Sequence, residues 1–142
     1  MEDLKRYLEG IVDPTIRDFA DNPTSVRHAY LACVAVFHSI DYLAYPRSSR
    51  TLRQNFRKLS PDFKLVDHVA HAFKHVTTGR RGATYLKADD VISRPAGAFD
   101  VAVFDLSVFD VAEGGVTLDN DRNIDLLETV RRAAEFLRQT SA

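Results

Sequence analysis

The order of apolar and polar positions divides the chain into helices first and strands late. Its longest apolar stretch runs from Thr24 to Tyr45, TSVRHAYLACVAVFHSIDYLAY. Apolar residues surround this segment on nearly every side, the pattern of a helix buried in the middle of a bundle. One narrow sector departs from it. At about 100° per residue, Arg27, Val34, His38, Asp41 and Tyr45 fall on a single stripe. A polar stripe on a central helix needs partners, because buried polar and charged groups are costly unless paired.

The flanking segments follow the same helical period. Leu4, Leu8, Ile11, Val12, Ile16 and Phe19 predict a first helix over 2–20, with a kink or break near Asp13 imposed by Gly10 and Pro14. Asn22 or Thr24 is expected to cap the central helix, which should end at Tyr45 before Pro46. Ser48 or Ser49 then caps a short helix reaching about Leu59, with Arg50, Arg53 and Arg57 on one face and Leu52, Phe56 and Leu59 on another. Ser60-Pro61-Asp62 opens a further helix running to Thr77, with an apolar arc from Phe63 to Val76 and three histidines, His68, His71 and His75, beside it. Gly79 and Gly82 end it.

From Ala83 the period turns extended. Thr84 to Leu86, Val91 to Ile92, Phe99 to Val103 and Leu106 to Val111 are strand candidates, and Glu113-Gly114-Gly115 reads as a hairpin turn before Val116 to Leu118. Asp125 with Glu128 matches a capping box for a last helix over 126–139. The expected fold class is mainly α. It is an antiparallel bundle of four to five helices in a single domain over 1–142, with a small antiparallel β-hairpin inserted at about residues 83–118, before the C-terminal helix.

Composition adds compartment and partner expectations. With 45% apolar and 27% charged residues the chain is of the ordinary globular type. A single cysteine, Cys33, excludes a disulfide within the chain and points to the reducing cytoplasm. The start, MEDLKRYLEG, lacks the apolar core of a signal peptide. The apolar run from Ala29 to Phe37 is far short of the roughly 20 residues that span a bilayer, so no membrane partner is expected. The net charge of −1 conceals an asymmetry. Residues 46–94 carry 11 Lys/Arg against 4 Asp/Glu, and the rest 8 against 16. A basic middle between acidic flanks suits self-complementary packing or an anionic partner such as RNA; faces that simply differ in solvated charge are the alternative.

Three constellations carry candidate chemistry. His71 and His75, one helical turn apart, would form a metal-ligand set if His38 and Asp41 joined them from the central helix; a partly exposed histidine face is the plainer reading, and no cofactor is expected. His38 and Asp41 can pair along the helix, as an oriented general base or as a pair that fixes packing register, whereas Arg27 is about three turns from Asp41. The basic set, with Arg50, Arg53 and Arg57 at its centre, can track phosphates. Arg27, His38, Asp41, Arg50, Arg53 and Arg57 are therefore the candidate binding residues.

Two stretches, AYLACVAVFHSIDYLAY and DHVAHAFKHV, together give a pattern that resembles small uncharacterised bacterial proteins and, loosely, HEPN-like helical domains. The resemblance covers about the first 80 residues. It implies a helical bundle that often dimerises, in a family that includes metal-independent ribonucleases, with His71 or His75 as base and Arg80 as phosphate contact. That family's catalytic pattern is an arginine followed about four to six residues later by a histidine on one helix. Here Lys64, not an arginine, precedes His68 at that spacing, and Arg80 follows His75. The readings carried forward are a binding or regulatory helical bundle, an HEPN-like ribonuclease or toxin acting on RNA, and a metal-binding bundle.

Overall fold

The computed structural model describes residues 2–75, 86–95 and 114–141. The fold is mainly α, a bundle of helices with a small two-stranded antiparallel sheet before the C-terminal helix. Helix α1 (Glu2–Tyr7), a π-helical turn (Leu8–Val12) and α2 (Asp13–Asp21) form one unbroken helical run. They are followed by α3 (Val26–Ala44), α4 (Arg50–Leu59), α5 (Pro61–His75), strands β1 (Val91–Arg94) and β2 (Gly115–Leu118), and α6 (Leu126–Ser141).

At the kink or break expected near Asp13 the chain makes a π-helical turn, and the helical run is not broken. Pro14 lacks an N–H, and its ring would crowd the carbonyl four residues back in a regular α-helix. Widening by one residue resolves the conflict: the Asp13 N–H bonds Leu8 O, five residues back, and the helix continues. The run keeps Leu4, Leu8, Val12 and Phe19 buried but leaves Ile11 half exposed.

Helix α3 is the centre of the bundle and packs against α5, α2, α6 and α1. Its buried face is built largely from small residues, Ala29, Ala32, Cys33 and Ala35, with Val36 and Ile40. The same core holds Phe63, Val66 and Val69 of α5 and Val130, Ala133 and Leu137 of α6, all without exposed surface. Fully burying each valine, leucine, isoleucine or phenylalanine of this set contributes about 1.5–3 kcal/mol. The polar stripe does not need buried partners as expected, because Arg27, His38, Asp41 and Tyr45 all lie on the exposed side of α3. Cys33, wholly enclosed, has its thiol pushed up to about 12 by burial and is inert at neutral pH.

The helix starts show how local chemistry sets boundaries. Neither Asn22 nor Thr24 caps α3: Ser25 does, its hydroxyl accepting the His28 N–H at 3.2 Å. Asn22 instead closes α2, donating from Nδ2 to Asp18 O at 2.9 Å. Ser60 caps α5 by accepting the Phe63 N–H at 3.0 Å, with Pro61 in the first turn. Asp125 caps α6 through the Leu127 and Glu128 N–H groups, while the Glu128 carboxylate pairs with Arg131 at 2.6 Å. Leu59, expected on the apolar face of α4, is exposed.

The sheet pairs β1 with β2 in the register Val91↔Leu118, Ile92↔Thr117, Ser93↔Val116 and Arg94↔Gly115. The partner of Val116–Leu118 is thus the distant Val91–Ser93. Gly115 belongs to the strand and not to the turn, and Gly114 takes the left-handed conformation, φ 67°, that glycine adopts at no steric cost. Leu86 is buried. Thr84 and the strand candidates over 99–103 and 106–111 lie outside the described residues. No helix among the described residues is long and apolar enough to cross a membrane.

Candidate functional site

Helix α5 buries a carboxylate. Asp67 has no exposed surface, though Val66 beside it and Ala70 further along belong to the apolar core. A lone buried carboxylate would be driven to neutrality, so its partners decide its state. Arg53 of α4 supplies a two-pronged contact, Nε to Oδ2 at 2.7 Å and Nη2 to Oδ1 at 2.8 Å. Arg57, one turn along α4, places Nε 3.6 Å from Oδ2. His71, one turn along α5, places Nδ1 2.8 Å from Oδ1 and 2.9 Å from the Asp67 carbonyl oxygen. The spacing of four on both helices aligns two donors on one with acceptor and donor on the other.

Two histidines are assigned by this arrangement. Arg57 Nη2 lies 2.7 Å from His68 Nε2, and a guanidinium only donates. His68 Nε2 is therefore the acceptor and the ring is neutral, with its proton on Nδ1. Burial first, and the Arg57 charge second, hold its pKa below the usual value of 6.5. His71 donates from Nδ1, which leaves Nε2 without a partner among the described residues. The Phe37 ring of α3 closes the arrangement: His71 meets it edge-on at 4.8 Å, and the Arg53 guanidinium lies 5.4 Å from its centroid.

On the outer side of Phe37, the loop before α4 and the first turns of α4 form a concavity of about 330 Å³. It is lined by Asp41, Ser48, Ser49, Arg50, Arg53 and Arg57, with Phe37 and Gln54. The Asp41 carboxylate accepts the Ser49 hydroxyl at 2.7 Å and faces His38 Nδ1 at 3.0 Å. His38–Asp41 is thus formed as the sequence suggests, but both side chains are about half exposed, so the pair fixes no buried register.

The candidate binding set is therefore brought together in part. Arg50, Arg53, Arg57 and Asp41 share one concavity, with His38 bonded to Asp41. Arg27 is exposed and lies about 20 Å from Asp41 along α3. His75 is exposed, its ring stacked 6.1 Å from that of His71. Arg80 lies outside the described residues. The metal-ligand set of His38, Asp41, His71 and His75 is not assembled: His38 and His71 each pack against Phe37 and turn Nδ1 to different carboxylates. Among the described residues no group of three or more His, Cys, Asp or Glu is arranged to hold a metal ion. The residue that sequence reasoning passed over is Asp67. Its signal was an acid next to Val66 and two residues before Val69, four residues before His71 and opposite arginines spaced by four.

No protein-family model, curated protein or solved structure matches this chain.

Two outcomes are expected. Asp67→Asn keeps the shape of the side chain but leaves Arg53 and Arg57 partly buried without a counter-charge, and should cost about 3 kcal/mol of stability. Urea unfolding would register this as a lower midpoint at unchanged slope. His68 binds its proton less tightly folded than unfolded, so its contribution is complete above about pH 6.5 and is lost as pH falls through the depressed folded value. His68→Gln keeps an acceptor for Arg57 and removes the titration. Its loss of stability between about pH 7.5 and about pH 5.5 should be smaller than that of the unaltered protein.

Proposed function

We propose that this is a cytoplasmic bacterial helical-bundle protein with a binding or regulatory role, taking an anionic, phosphate-bearing ligand at the concavity beside α4. The observation that carries this reading is the placement of Arg50, Arg53 and Arg57 around one opening. Three guanidiniums meet two carboxylates there, Asp41 and Asp67, so one positive charge is left over. Arg53 is already oriented by Asp67 and retains further N–H donors, so little ordering remains when a phosphate arrives. Ser48 and Ser49 hydroxyls at the rim suit the same oxygens. The opposite net charges of the middle and the flanks also support self-association as a dimer.

The test is calorimetric titration with a short single-stranded RNA and with inorganic phosphate. Arg50→Ala removes the one arginine of the three with no contact to Asp67, and should weaken binding about tenfold or more without loss of stability. Affinity should fall with rising salt. Binding that ignores both Arg50 and salt would sink the reading.

A second reading, an HEPN-like ribonuclease, is favoured by the Asp67–His71 pair. A histidine held by a carboxylate at Nδ1 has the geometry of a general base at Nε2. In support of this reading, Arg57 of α4 lies 3.6 Å from the Asp67 carboxylate that holds His71. On this reading RNA is cleaved, and His71→Ala lowers the rate about 100-fold or more while Arg50-dependent binding persists. Intact RNA after incubation with saturating protein, followed by gel electrophoresis, leaves the binding role alone.

A further inference from the structure

A second concavity, on the other side of Asp41, has the opposite character. It encloses about 710 Å³ and is lined by Asp3, Arg6, Tyr7 and Ile11 from the first helical run and by Asp41, Tyr42 and Tyr45 from α3. Three of the large apolar side chains left exposed by the fold, Ile11, Tyr42 and Tyr45, meet here. Tyr45 is 81% exposed, so most of its ring is open to solvent.

The walls are ordered. Tyr7 donates its hydroxyl to Ala35 O at 2.8 Å, which fixes its ring. Tyr42 stacks on it with centroids 4.3 Å apart and planes 19° from parallel. The π-helical turn sets Ile11 beside them. Two carboxylates, Asp3 and Asp41, stand against a single guanidinium, that of Arg6, which is drawn toward Glu2 at 3.6 Å. Aromatic faces backed by net negative charge attract cations and repel phosphates. A planar guanidinium fits best, since it can lie flat on a tyrosine face while its edge pairs with a carboxylate. An ammonium can satisfy only one of those demands at a time.

We propose that the Tyr7–Tyr42–Tyr45 concavity receives an arginine side chain of a partner protein, stacked on tyrosine and paired with Asp3 or Asp41. The charge of the walls carries the choice of occupant. An aliphatic segment would give the carboxylates of the walls no counter-charge beyond Arg6 and His38, and an acidic one would face them directly. The site is separate from the arginine-lined concavity and has the opposite preference, although Asp41 lines both.

The probe is the peptide acetyl-Gly-Arg-Gly-Arg-Gly-amide, with its citrulline counterpart as a neutral analogue of the same shape. Tyrosine ring resonances report binding directly, in a chain with five tyrosines and no tryptophan. The arginine peptide should shift the Tyr42 and Tyr45 signals with an affinity at least about tenfold tighter than the citrulline peptide. Tyr45→Ser and Asp3→Asn should each weaken it about fivefold. Both positions are exposed, so these variants leave the core and the Tyr7–Tyr42 stack in place. Equal binding of the two peptides, affinity undiminished in both variants, or no saturation below about 10 mM overturns the proposal. So does a dimer, seen by light scattering, that dissociates on Tyr45→Ser, since a second copy would then be the occupant.

Discussion

Asp67 is a carboxylate with no exposed surface, and the position of α4 depends on how it is compensated. Helix α4 is ten residues long and fully buries only Phe56. That ring sits edge-to-face with Phe63 at 5.6 Å and with Phe136 at 5.0 Å, which locates α4 against α5 and α6. Phe56, with the partly buried Leu52, holds α4 on the core but gives its polar face no fixed partner. The Arg53 fork and the Arg57 contact on Asp67 supply one. A buried ion pair is not strongly stabilising beside a well-packed apolar substitute, but removing one partner leaves the other uncompensated. The pair therefore acts chiefly on geometry. It turns one face of a strongly basic helix inward and presents Arg50 and the outer donors of Arg53 and Arg57 to the concavity.

Charge divides the surface of the molecule around α3. The stripe of Arg27, His38, Asp41 and Tyr45 is exposed because the other faces of α3 already meet α5, α2, α6 and α1. Asp41 stands at the boundary, with arginines and serines on one side and tyrosines on the other. Its carboxylate is held by the Ser49 hydroxyl, which ties the start of α4 to the end of α3. The Tyr7 hydroxyl on the far side is pushed up to about 12, by burial first and then by Tyr42 and Asp41, so it remains a donor to Ala35 O throughout the physiological range.

The helices were legible in the sequence because apolar periodicity reports burial, and burial is what forms them. The centrality of α3, the start of α5 at Ser60-Pro61 and the core positions of α6 follow from that alone. What failed depended on competition between local options. Pro14 suggests a break only if a wider turn is not considered, and Asn22 reads as an N-cap until it is seen to close the preceding helix. The strand pairing of Val91–Arg94 with Gly115–Leu118 spans more than twenty residues, which no local turn signal encodes. The site was half legible. The arginine face of α4 and the histidines of α5 were each visible, but periodicity assigns charged residues outward. It therefore hid the one acid, Asp67, that joins them.

That acid also separates the roles of two histidines three residues apart. Both carry a proton on Nδ1 when neutral, but for different reasons. His68 must offer Nε2 to Arg57, a group that can only donate, so its acceptor is in use. His71 donates Nδ1 to Asp67, so its Nε2 lone pair stays open among the described residues. A proton arriving at His68 would set an N–H against a guanidinium at 2.7 Å and break the contact. The same buried charge thus makes His68 a structural acceptor for Arg57 and leaves His71 oriented by Asp67, with Nε2 turned away from that contact.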